Sequence, residues 1–189
     1  MASKSRSTFS EFEKSTNQIA ASLLAAGALP GDRIGIWSTN HVEWIQTQFA
    51  AAKAGIILVN INPSYKSAEL AFVLKMCEIK GLISDTIYGQ QNYENILQKA
   101  VSDHGSDLKL EFVAYRGDNF TQLNGIRTFS FDNLYDGGDT NFVTQVEEII
   151  SKAQMDDPVN IQFTSGTTGL PKGATLTHHN ILNNAFSSG

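Results

Sequence analysis

The chain has 189 residues, 41% of them apolar, and a formal net charge of −5. That length permits one domain with a real core, and the apolar content excludes wholesale disorder. The acidic balance supplies no basic surface for nucleic acid and no polybasic tract for anionic lipid, the single cysteine excludes an intramolecular disulfide, and no apolar run reaches the length of a membrane span.

Residues 1–7 are expected to be a disordered N-terminus, too short to read as a transit peptide. Thr8-x-x-Glu11 is a capping box, after which Phe9, Phe12, Thr16, Ile19 and Leu23 recur at helical spacing as far as Gly27. Pro30-Gly31-Asp32 is a turn, and Ile34, Ile36 and Trp37 form a short strand. Asn40-x-x-Glu43 reads as a second capping box, opening a helix that turns Trp44, Ile45, Phe49 and Ala52 inward and stops at Gly55. The continuous apolar run from Ile56 to Val59 marks a strand buried on both faces. After the break at Asn62-Pro63, Ser67 caps a helix through Met76 with Leu70, Val73 and Leu74 inside. Cys77 continues that apolar pattern and is expected as a core thiol, not a nucleophile.

Gly81 to Ser84 predicts a strand, Tyr88 to Val101 a helix burying Ile96, Leu97 and Ala100, and Leu108 to Ala114 another strand. Asn119 to Gly138 reads as a short strand and then a loop, and Val143 to Lys152 as an amphipathic helix ended by Asp156-Asp157-Pro158. This alternation of strands and helices argues for an α/β fold with a largely parallel sheet flanked by helices. Ligands of such sheets sit at the carboxyl ends of the strands.

The stretch from Asn160 to His178 carries the clearest chemical signal. Two short apolar alternations flank a loop of Gly and hydroxyl residues closed by Lys172. Glycine admits positive φ and leaves room for a bulky anion, and successive backbone N–H groups form an anion-binding nest. The hydroxyls of Thr164, Ser165, Thr167 and Thr168 add rotatable donors. Lys172 adds a charge, worth on the order of 4 kcal/mol at about 4 Å from a phosphate oxygen and an effective dielectric of about 20. The Gly-Thr-Thr-Gly core alone would also serve as a mere connector; the longer run Ser-Gly-Thr-Thr-Gly-x-Pro-Lys-Gly, 165–173, favours a polyphosphate. It is not a Walker A loop, because Gly173 follows the lysine and Ala174 to Thr177 alternate like a strand, giving strand–loop–strand. Thr177 then caps a helix beginning near His178.

Other candidates have plainer readings. His178 and His179 are adjacent, so they diverge on a helix and suit its start better than a metal. His41 and His104 read as solvated, Asp156 and Asp157 as a helix end, and Trp37 and Trp44 as core, with ligand contacts as the minority alternative. No catalytic or metal-ligating residue is assigned.

The run 165–173, together with Ala54 to Tyr65, Glu69-Leu70 and Pro30 to Arg33, resembles the adenylate-forming enzymes, which include acyl-CoA synthetases, luciferases and adenylation domains. Asp157 to Ile181 looks closest to the medium-chain fatty acid–CoA ligases of that family. The likeness runs from about Thr8 to the C-terminus and is weakest between Asp85 and Gln154.

The resemblance implies the large N-terminal domain of such an enzyme, incomplete, over 8–189, with the C-terminal domain absent. It implies ATP phosphates held by Thr164, Ser165, Gly166, Thr167, Thr168, Gly169, Leu170, Pro171 and Lys172, with Mg²⁺ as the accompanying ion and coenzyme A as co-substrate of the complete family member. The reaction implied is activation of a carboxylic acid, best guessed as a medium-chain fatty acid, to an acyl-adenylate and then to acyl-CoA; aromatic acids and amino acids are the alternatives. The same likeness implies a mitochondrial location, with the cytoplasm as alternative.

Family members carry the adenine pocket, acyl pocket and catalytic lysine after this region, so the chain by itself is expected to be inactive, marginally stable and open at one sheet edge. Two further functions stay open: a module that binds ATP or pyrophosphate without chemistry, and an interaction or regulatory form that associates through the open edge.

Overall fold

The computed structural model describes residues 6–117, 119–136, 138–164 and 171–188. Of the expected disordered N-terminus, residues 1–5 lie outside the described residues, and 6–7 are exposed and irregular. Helix α1 (Phe9–Ala25) starts at the capping box: Glu11 N–H donates to Thr8 Oγ1 at 3.2 Å, and Thr8 N–H to Glu11 Oε2 at 2.8 Å. Then follow β1 (Arg33–Trp37), α2 (Val42–Lys53), β2 (Ile57–Asn60), α3 (Ser67–Met76) and β3 (Gly81–Asp85). A small hairpin of β4 (Ile87–Tyr88) and β5 (Gln91–Asn92) leads into α4 (Tyr93–His104). The rest comprises β6 (Phe112–Arg116), β7 (Arg127–Ser130), a 3₁₀ segment (Phe131–Asp136), α5 (Thr140–Lys152), β8 (Pro158–Thr164), β9 (Lys172–Thr177) and α6 (His178–Ser188).

Among the described residues seven strands form one sheet in the order β7-β6-β3-β1-β2-β8-β9. Every pairing is parallel except β8 with β9. The expected α/β architecture is therefore present, with the antiparallel pair of this sheet at the β8–β9 hairpin.

Strand alternation sorts the core into two layers. Ile34, Ile36, Leu58, Ile83, Phe112 and Ala114 pack under α1, α2, α5 and the 3₁₀ segment. Trp37, Val59, Leu82, Val113 and Tyr115 pack under α3 and α4. Burial on both faces explains why these strands read as continuous apolar runs. Close approach needs glycine at Gly81, where a Cβ would lie 2.2 Å from the Phe112 ring.

Several expectations are corrected. In α2, Ile45 and Phe49 face outward, 50% and 52% exposed, while Gln46, Thr47, Ala50 and Ala51 are buried. The inward position of Gln46 is set by polar contacts: its Nε2 donates to Ser15 Oγ at 3.0 Å, and its Oε1 accepts from Tyr135 at 2.5 Å. The N-cap of α2 is His41, without a side-chain cap bond, so Asn40-x-x-Glu43 is no capping box here. The cap of α3 is Lys66, whose N–H donates to Glu69 at 2.8 Å, and Ser67 is the first helical residue. The helix expected from Tyr88 begins at Tyr93, because Gly89 takes φ +60° in the β4–β5 turn. Strand β6 begins at Phe112, not Leu108. Helix α5 begins at Thr140, capped by the Asp139 carboxylate, which accepts Asn141 N–H at 2.9 Å. Cys77 is buried at the end of α3, and burial pushes its thiol pKa up, as a core thiol requires.

Two outcomes are expected. Gly81→Ala should destabilise the fold by about 1–3 kcal/mol through overpacking, and Phe112→Leu in the same chain should recover part of that loss in urea unfolding. Burial, then the charges of Glu43 and Asp132, push the Tyr135 pKa up to about 12, against the effect of its hydrogen bond to Gln46. The fold therefore favours the neutral phenol. The stability contributed by this raised phenol pKa is fully present below pH 10.0 and is lost as pH rises through about 12. Wild-type urea midpoints should fall over that window by more than those of Tyr135→Phe; equal falls would contradict the assignment.

Candidate functional site

A cavity of about 560 Å³ opens at the carboxyl ends of β1, β2 and β8, where a parallel sheet is expected to take its ligand. Ser38 and Asn40 enter it from the β1–α2 turn, and Trp44 from the first turns of α2. Asn60, Ile61, Asn62, Pro63 and Tyr65 form its wall after β2. Gln162, Phe163 and Thr164 close the far side at the end of β8, and Pro171 stands just before β9.

Local chemistry holds these walls. The buried indole of Trp37 donates from Nε1 to Asn62 O at 3.1 Å, tying the segment after β2 to the end of β1. Asn62 Oδ1 accepts Ser64 N–H at 2.9 Å, a side-chain turn that sets the Pro63 corner. Asn60 and Gln162 are register partners on β2 and β8. Beneath them Asn160, fully buried, donates from Nδ2 to Leu58 O at 2.8 Å and toward Asn60 Oδ1 at 3.3 Å. Its own Oδ1 has no partner among the described residues. Burial, then the Glu69 charge, pushes the Tyr65 phenol pKa up, which keeps it a neutral donor.

Hydroxyls, carboxamides, aromatic rings and the aliphatic Ile61, Pro63 and Pro171 make up this lining, and none of the described lining side chains is ionised. Such a surface can offer hydrogen bonds to an anion but cannot neutralise it. Lys172 is exposed as the first residue of β9 and is the register partner of Thr164; Thr164 Oγ1 lies 3.5 Å from Lys172 O. The two ends of the loop are thus side by side at the cavity rim.

Of the residues expected at the phosphates, Thr164 and Pro171 line the cavity and Lys172 adjoins it. Ser165, Gly166, Thr167, Thr168, Gly169 and Leu170 lie outside the described residues. Trp44 packs against the core, as expected, and also reaches the cavity, its minority reading; sequence reasoning missed Ser38, Asn40, Asn60, Asn62 and Gln162 as lining residues. Each follows or ends a predicted strand, so the rule of strand carboxyl ends would have found them.

The remaining candidates fall elsewhere. His178 is the first residue of α6, and His179 Nδ1 lies 3.7 Å from Asp156 Oδ1 in an exposed pair. Thr177 caps that helix, accepting Asn180 N–H at 3.3 Å. His41 belongs to the β1–α2 turn, where its Nε2 lies 2.6 Å from Thr39 Oγ1. His104 ends α4. Asp157 accepts Gln154 N–H at 2.7 Å in the turn before β8. Among the described residues no three His, Cys, Asp or Glu side chains gather as a metal cluster.

Comparison with known proteins adds to this geometry. A family model described as AMP-binding enzyme matches residues 2–189. The chain is 40% identical over 195 residues to a mitochondrial medium-chain acyl-CoA ligase, ACSF2, of Danio rerio, covering 97% of this chain and 31% of that protein. It is 36% identical over 186 residues to the Homo sapiens protein of the same name, covering 95% and 30%. Among solved structures it superposes on an anthranilate CoA ligase in complex with anthranoyl-AMP with a TM-score of 0.74, at 24% identity, covering 94% of this chain and 31% of that one. The chain thus spans about a third of the length of the curated relatives it matches.

Asn160 provides a test of the cavity floor. Asn160→Asp would place a buried carboxylate against Leu58 O and Asn60 and remove the Nδ2 donor. At pH 8 the loss should be about 3 kcal/mol. Burial raises such a carboxyl pKa, so the penalty should shrink as pH falls to 5 and the protonated group donates again. Urea midpoints at the two pH values measure this; a pH-independent penalty would refute it.

Proposed function

The chain belongs to the AMP-binding enzymes, and from that membership we propose that it is the ATP-phosphate-holding portion of an acid–thiol ligase. The reaction is ATP-dependent activation of a carboxylic acid to an acyl-adenylate with release of pyrophosphate, followed by transfer of the acyl group to coenzyme A. One observation carries this reading: the Gly- and hydroxyl-rich stretch joins β8 to β9 at the carboxyl ends of the sheet, and its described ends border the cavity.

In this reading Thr164, Ser165, Gly166, Thr167, Thr168, Gly169, Leu170, Pro171 and Lys172 hold the β- and γ-phosphates. Donors aimed at a leaving pyrophosphate stabilise the charge that grows on it in the transition state. The cavity lining is neutral, so Lys172 and Mg²⁺ supply the counter-charge. The acid is a medium-chain fatty acid and the compartment mitochondrial; the names of the relatives support both. The outer edge of β9, last in the sheet among the described residues, supports association through that edge.

A second reading, nucleotide binding without chemistry by this chain alone, is favoured by the cavity itself, which residues of this chain enclose. Calorimetric titration of the folded chain with MgATP tests the shared premise. Saturable binding is expected, weakened about tenfold or more by Lys172→Ala, since a contact of about 1.4 kcal/mol is worth that factor. Gly166→Val should weaken it further by filling the space an anion needs. Far-UV circular dichroism confirms that each sample is folded. A folded wild-type chain that takes up no MgATP would sink the proposal for these residues.

A further inference from the structure

Three strands end around a buried carboxylate that phosphate binding does not use. Asp85, the last residue of β3, is fully buried. Its Oδ1 accepts from Arg116 Nε at 2.7 Å, and Arg116 is its register partner on β6. Its Oδ2 accepts the Thr39 N–H at 3.1 Å and lies 3.2 Å from Thr39 Oγ1. Arg116 Nη2 lies 2.8 Å from His41 Nε2. A guanidinium only donates, so Nε2 is the acceptor and the imidazole proton sits on Nδ1.

The pair and its partners therefore join the ends of β3 and β6 to the β1–α2 turn. That turn has little else to fix it. Its last residue, His41, is the N-cap of α2 and makes no side-chain cap bond, and Ser38 Oγ donates within the turn, to Thr39 O at 3.0 Å. Yet the same turn brings Ser38 and Asn40 to the cavity, and Trp44 follows on the helix it launches. Asp85 is buried while the Arg116 side chain is 32% exposed, and a pair with one charge taken out of water is a poor way to gain stability. Its use here is better accounted for by what it holds in place.

We propose that Asp85 and Arg116 are positioning residues for the nucleotide site, holding the β1–α2 turn so that Ser38, Asn40 and Trp44 form the cavity wall opposite Thr164 and Pro171. The proposal rests on the ATP reading above. Neither residue touches the nucleotide. Arg116 spans two acceptors, Asp85 and His41, with two nitrogens of one planar fork.

The test uses the whole chain with Arg116→Met, Arg116→Lys and Asp85→Asn, each checked for folding by circular dichroism and urea unfolding. Amide hydrogen exchange is read over residues 38–44 and, as an internal control, over α1. In Arg116→Met, exchange over 38–44 should quicken about tenfold with α1 unchanged, and the Kd for MgATP should rise about tenfold. Arg116→Lys should recover part of both. A merely structural pair would lower the urea midpoint and leave the Kd of the folded variant at its wild-type value, which would overturn the proposal. Unchanged exchange over 38–44 would overturn it as well, whether or not nucleotide binds. If Arg116→Met fails to fold, Asp85→Asn, which keeps the side-chain volume, is read by the same criteria. Absence of MgATP binding by the wild type refutes the ATP reading instead, and the exchange data still decide whether the pair anchors the turn.

Discussion

Strand β1 carries a helical layer on each face, and this double burial governs the rest of the molecule. Its side chains alternate between two dry cores, Ile34 and Ile36 under α1 and α2, Trp37 under α3 and α4. A strand so placed has no solvent face, and each layer must match it closely. Glycine answers that demand at Gly35, where a Cβ would come within 2.9 Å of both Ile61 and Leu82. Polar chemistry is confined to the strand ends, where backbone groups leave the ladder and side chains reach water.

The cavity is a consequence of that confinement. Its walls are the first residues after β1 and β2 and the last of β8, and their polar groups are uncharged. A neutral wall of strand-end side chains stands beside the Gly- and hydroxyl-rich stretch that joins β8 to β9. Charged groups near the sheet end are held in pairs instead. Asp85 is paired with Arg116, and Lys80 with Asp32 at 2.9 Å at the opposite, amino end.

Much of this architecture was legible in the sequence. Apolar runs such as Ile56 to Val59 announced doubly buried strands, and Thr8-x-x-Glu11 marked a helix start that the structure keeps. The face of α2 was not legible, because hydropathy places Ile45 and Phe49 inside, whereas hydrogen bonds of Gln46 to Ser15 and Tyr135 decide the rotation. Those partners lie 31 and 89 residues away, beyond any local pattern. The phosphate loop was visible because its residues are contiguous. The cavity walls were not, because Ser38, Asn60 and Gln162 become neighbours only once three strands are paired.

The pairing of β2 with β8 bears on how the chain assembles. Strand β1 pairs with β2 across one helix and with β3 across 47 residues, Ile34 to Gly81, so these pairings close shorter loops. Strand β8 must instead cross a gap of 102 residues, the separation of Asn160 from Leu58, before its first bond forms. Contacts of such high order are slow to form, because closure entropy is lost before packing compensates for it. The β8–β9 hairpin is therefore expected to dock after β1, β2 and β3 have paired, and the wall formed by Gln162, Phe163 and Thr164 arrives with it. Under the nucleotide reading proposed above, a ligand held across that seam would also hold the hairpin in place, by mass action on the docked form.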